Sequence, residues 1–114
     1  MLTDLARRLL AQRGGPSYPH RMRRIERRLL RLNDEILRLR REAELVEGEL
    51  GMHRHLADDA IRDAFVTDAP VERADARDAL KDVVRLEGAL QSVRRQLAAL
   101  EEHRQDLLGR LEKR

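Results

Sequence analysis

The sequence predicts an all-α fold: a long antiparallel two-helix coiled-coil hairpin with a short N-terminal helix. Three observations predict it. The composition is 39% charged and 2% aromatic, rich in Leu, Ala, Arg and Glu, which is the balance of long helices and not of a layered core. Apolar residues recur at heptad spacing through two stretches of five or more heptads. Between those stretches Thr67-Asp68-Ala69-Pro70 breaks the pattern, and so short a link joins antiparallel neighbours.

The elements follow in order. Residues 3–12 read as a short helix, with Thr3 and Asp4 as N-cap and first turn and Leu5, Leu9 and Leu10 on one face. Gly14-Gly15-Pro16 stops it and Pro19 extends the break, so 1–19 is a short helix plus a Gly/Pro linker. Residues 20–114 form the hairpin, with its turn at about 67–70. The first arm, about His20 to Val66, has the seam Met22, Ile25, Leu29, Leu32, Ile36, Leu39, Ala43, Val46, Leu50, His53, Ala57, Ala60, Ala64. Only His53 is polar. The second arm starts at Pro70, suited to a first helical turn, with Thr67 or Asp68 as its cap. Its seam runs Ala76, Ala79, Val83, Leu86, Leu90, Val93, Leu97, Leu100, Arg104, Leu107, Leu111, with Arg104 as the exception. The alanines cluster near the turn, where the arms should approach more closely.

Charge is unevenly spread. Residues 1–41 hold 12 Arg against 4 acids, residues 42–89 hold 13 acids against 6 bases, and residues 90–114 hold 6 bases against 4 acids. The absence of Cys excludes a disulfide scaffold and thiolate metal sites and fits a cytoplasmic protein. No run of eighteen apolar residues spans a membrane, and the N-terminus lacks the uncharged apolar block of a secretion signal. His20, His53, His55 and His103 offer no i, i+4 metal pair. No Gly-rich phosphate loop and no nucleophile–base set can be assembled, so the expectation is a non-enzyme without metal.

Apolar residues also sit off the seam: Leu30, Leu37, Phe65 and Val84 at b, Leu56 at g, and Ile61, Leu80 and Leu108 at e. They either widen the seam and pack against the N-terminal helix, or dock a partner protein or a second copy. The candidate partner-binding residues are Leu5, Leu9, Leu30, Leu37, Phe65 and Val84. The arginines of 21–41 read as a solvated face or as a contact for nucleic acid or an acidic partner. Few aromatics argue against single-strand binding, and duplex contact through phosphates stays open.

The arms share a repeat. Glu47-Gly48-Glu49-Leu50-Gly51-Met52-His53-Arg54 matches Glu87-Gly88-Ala89-Leu90-Gln91-Ser92-Val93-Arg94 as Glu-Gly-x-Leu-x-x-x-Arg. Each Glu and Arg falls at e, and with the turn near 70–71 facing residues should sum to about 141. Glu47 then faces Arg94 and Arg54 faces Glu87, giving a local two-fold quartet. It reads as a register-setting pair of ion pairs, or as a groove whose Arg and Glu match the edge of guanine. Gly48, Gly51 and Gly88, each costing about 1 kcal/mol against Ala in a helix, would leave room for a bound group or another helix.

Through this repeat the hairpin resembles the actinobacterial anti-sigma factors of the RsiG type, also labelled aerial-mycelium-formation proteins. Their ligand motif is Glu-x3-Ser-x2-Arg-x3-Gln-x3-Asp, once per arm. Glu47 and Arg54 keep two positions in the first arm, where Gly51, Asp58 and Arg62 replace the others. Glu87 and Arg94 keep two in the second, where Gln91 and Ala98 are replacements and Glu102 stands for the Asp. The likeness covers about residues 35–112. It implies a regulatory protein-binding hairpin that sequesters a sigma factor of the WhiG type, with cyclic di-GMP as a regulatory ligand at Glu47, Arg54, Glu87, Arg94 and Glu102. The rival readings are a DNA-binding or nucleoid-associated basic coiled coil and a structural adaptor or homodimer.

Overall fold

A computed structural model describes the backbone of residues 2–11 and 20–113, and the side chains of 3–8 and 20–113. It contains three helices, α1 (Leu2–Ala11), α2 (His20–Thr67) and α3 (Pro70–Glu112), and no strand among the described residues. The Gly/Pro linker expected at 14–19 lies outside the described residues. The long helices α2 and α3 pack against each other along the heptad seam. Every seam residue is buried or half-buried, His53 and Arg104 included. Burial of one apolar stripe per helix is therefore what holds the hairpin, since propensity alone does not sustain helices in water.

The chain divides into two compact units. The first comprises residues 1–40 with 96–114. Its core is Met22, Leu29, Leu32, Leu107, Leu108 and Leu111, with Ile25 and Leu100 packed against it. Here α1 joins the hairpin: Asn33 Nδ2 donates to Thr3 Oγ1 at 2.9 Å. Thr3 lies inside α1, which starts at Leu2, so its hydroxyl serves this contact between helices and not the N-cap expected of it. Asn33 occupies e, and so does Leu108, its counterpart by the 141 rule; both are buried. Glu26, also at e, is only 2% exposed. Arg40 Nη2 donates to Glu101 Oε1 at 3.1 Å, a further e–e pair summing to 141. Arg104 is the costly member of this seam. Its buried Nε has no hydrogen-bond partner. Desolvation, with Arg40 close by, holds its guanidinium below the usual arginine range, and Glu101 offsets this in part.

The second unit is residues 41–95. Its buried seam is Ala43, Leu50, Ala57, Ala76, Val83, Leu86, Leu90 and Val93. The turn that closes it is built differently from the expected cap. Asp68 takes a left-handed conformation (φ 50°), an arrangement Asp tolerates better than most residues, and ends α2. Its N–H donates to Ala64 O at 3.0 Å. Thr67 Oγ1 donates backward to Asp63 O at 2.8 Å, satisfying a carbonyl of α2. The Asp68 carboxylate receives Arg73 Nη1 at 2.7 Å. No side-chain bond from Thr67 or Asp68 to the α3 backbone appears among the described residues; Pro70 opens α3, and Ala69 O accepts its first bond from Arg73 N at 3.1 Å. Proline disfavours helical geometry at Ala69, and it needs no N–H partner of its own.

Candidate partner face and ligand quartet

The quartet lies within the second unit. Arg94 Nη2 donates to Glu47 Oε1 at 2.7 Å, as the register requires, with about half of each side chain still exposed. Among the described residues no ion pair joins Arg54 to Glu87, and both are exposed. The two-fold symmetry of the sequence is thus kept in backbone register and only half realised in side-chain bonds. Exposed ion pairs contribute little, so one of two equivalent pairs can open at small cost. Glu102 is exposed, belongs to the first unit, and makes no hydrogen bond or ion pair among the described residues.

Gly48, Gly51 and Gly88 are exposed, and a Cβ on any of them would meet nothing within 4 Å. The chain's own packing therefore does not need glycine at these helix-interior positions. Nor is any group of three metal-ligating side chains found among the described residues.

The off-seam apolar residues behave according to unit. In the first, Leu108 is buried and Leu30 half-buried, while Leu5 and Leu37 are exposed. The side chain of Leu9 lies outside the described residues. In the second, Phe65 is 89% exposed, and Val84, Leu56, Ile61 and Leu80 are all exposed. Val66 and Val71 flank the turn and are exposed too. Leu45 and Met52 add two exposed apolar side chains. Sequence reasoning passed over this last pair, although both stand at the outward c position one heptad apart, with Gly48 between them.

Ile61 and Phe65, and separately Leu80 and Val84, line two shallow hollows in the second unit. One, of about 590 Å³, is lined at the turn by Ile61, Ala64, Phe65, Asp68, Arg73, Ala76 and Arg77. The other, of about 450 Å³, lies along α3 between Arg77, Leu80, Lys81, Val84 and Arg85. Ile61, Phe65, Leu80 and Val84 stand at b and e on one flank, whereas Leu45, Met52, Leu56 and Val66 stand at c and g on the other. The second unit holds 13 acids against 9 bases, but the charged side chains that line the two hollows are Asp68, Arg73, Arg77, Lys81 and Arg85.

No helix among the described residues is long and apolar enough to cross a membrane. The chain matches no family model, no curated protein and no solved structure.

Proposed function

We propose that the chain is a regulatory protein-binding hairpin acting by stoichiometric sequestration, an anti-sigma factor whose partner is a sigma factor of the WhiG type. The observation that carries the reading is the uncovered e flank of the second unit. In the first unit the e flank at Asn33 and Leu108 is closed, with α1 tied to Asn33. In the second unit Ile61 and Leu80, which pair at e by the same 141 rule, stay open beside Phe65 and Val84. A partner helix laid on that flank would do there what α1 does on its own unit. The net negative charge of the unit steers in a basic partner surface, such as a DNA-binding element, whose cations would meet acids outside the two hollows, since these are bordered by Arg73, Arg77, Lys81 and Arg85. Blocking that element would keep the sigma factor from promoters.

Cyclic di-GMP enters this proposal as a regulatory ligand at the quartet. Arg54 and Glu87 have their donors and acceptors uncommitted, which suits them to the guanine edge. The Glu47–Arg94 bond would have to open for the second half of the ligand.

The test is an equilibrium titration of the purified chain with a sigma factor of the WhiG type, with and without cyclic di-GMP. A one-to-one complex is expected, weakened at least tenfold by the variant Phe65→Ser with Leu80→Ser and Val84→Ser. These side chains are exposed, so the variant should fold. Absence of a complex with the wild-type chain contradicts the reading.

A further inference from the structure

The first unit carries a second feature that the partner face does not use. A groove of about 570 Å³ opens at the end formed by the start of α2 and the close of α3. Five of its lining side chains are cations: Arg21, Arg24 and Arg28 from α2, and Arg110 and Lys113 from α3. Met22 and Leu107 lie beneath the groove, almost fully buried, so the apolar surface it offers is half-buried Ile25 with the aliphatic stems of the arginines. No acid lines it among the described residues.

Five arginines elsewhere in the molecule pair with carboxylates, Arg40 with Glu101, Arg62 with Asp59, Arg73 with Asp68, Arg85 with Asp82 and Arg94 with Glu47, while others such as Arg54 do not among the described residues. What sets the groove apart is five cations in one concavity with no acid in its lining among the described residues. The five groove cations form no ion pair among the described residues. Placing them there works against stability in two ways. Like charges repel across a groove, and, although Arg110 and Lys113 suit the dipole at the close of α3, Arg21 and Arg24 near the N-terminal end of α2 oppose the dipole there. The first turn of α2 has no acid to offset this. The arrangement is unfavourable in the free chain and becomes favourable once a polyanion neutralises it.

We infer that this groove binds a small organic polyphosphate, a molecule carrying at least two adjacent phosphates on an apolar or planar body. Four of the five cations are arginines, whose planar forks bind phosphate oxygens in bidentate fashion. Ile25 and the aliphatic stems of the arginines take the ligand's body. The volume falls in the range of small-molecule sites, and the concave form favours a compact ligand over a duplex, which is convex and would touch only the rim. This site shares no residue with the quartet or with the partner face, so its test stands apart from theirs.

The experiment is calorimetric titration of the full chain with sodium triphosphate and with adenosine triphosphate, at ionic strength fixed with chloride. Binding of both is expected, with adenosine triphosphate the tighter because it also covers Ile25 and the arginine stems. The variant Arg21→Gln with Arg24→Gln and Arg28→Gln should bind at least tenfold more weakly, while its own Tm stays equal to or above that of the wild type. A short DNA duplex is the competing probe. No heat with either phosphate compound, undiminished binding by the variant, or duplex binding that triphosphate does not displace would each overturn the inference. The last of these would assign the cations to nucleic acid instead.

Discussion

Leu108 and Leu80 stand at the same heptad position of the same helix and meet opposite surroundings: Leu108 is 8% exposed and Leu80 is 44% exposed. The difference belongs to the units in which they sit. In the first, α1 is tied to the e flank through Thr3 and Asn33, and a polar Asn, a Glu and a Leu at e are all buried. In the second, the same flank has only two helices to cover it, and its apolar residues remain in water. A heptad position therefore does not fix burial. What lies against the flank fixes it, and among the described residues no third element lies against the flank of the second unit.

The sharpest way to break this comparison is a matched pair of truncations. Leu108→Ala should cost about 2–4 kcal/mol in urea unfolding, and Leu80→Ala less than about 1 kcal/mol. Equal losses would mean that the flanks are equally covered.

Arg104→Leu tests the first unit from the other side. It removes a buried Nε without a partner and a cation held near Arg40, and it restores an apolar seam, so stability should rise by about 1–2 kcal/mol. A loss would show that the guanidinium has a partner worth more than its desolvation.

Asn33→Ala should cost about 1 kcal/mol and loosen α1, seen as faster amide exchange in residues 2–11. In the second unit Gly48→Ala and Gly88→Ala should each add about 1 kcal/mol, because the Cβ enters open space on a helix. If these glycines serve partner approach, the same variants weaken the sigma complex while stabilising the free chain.

The smallest effect is the most specific. A double-mutant cycle on Glu47 and Arg94 should give a coupling of about 0.5 kcal/mol, and the equivalent cycle on Arg54 and Glu87 a coupling near zero. Equal couplings would restore the full two-fold quartet.

Much of the hairpin was legible because its seam is a strict repeat, and register followed from one number. The rule that facing residues sum to 141 places Glu47 against Arg94, and it extends to Arg40 with Glu101. What escaped was whatever a third element decides. Asn33 and Glu26 are polar at a flanking position, which in a two-helix coil means solvent; only the packing of α1 makes Asn33 an interior residue. Thr67 reads as a cap for α3 because hydroxyls favour N-caps, but it is the last residue of α2, Ala69 holds the N-cap place before Pro70, and the hydroxyl turns back to Asp63. The open Arg54–Glu87 pair escaped because sequence symmetry sets register and does not set the rotamers of exposed side chains.

The central proposal is that a partner docks on the e flank of the second unit, which is open among the described residues, and not on the e flank of the first, which is closed at Asn33 and Leu108. Hydrogen–deuterium exchange of the chain, alone and bound to a sigma factor of the WhiG type, tests it directly. The account predicts new protection within 45–66 and 71–84, with 20–40 and 100–112 unchanged. Protection confined to 20–40 and 100–112, with the second unit exchanging as in the free chain, would contradict it.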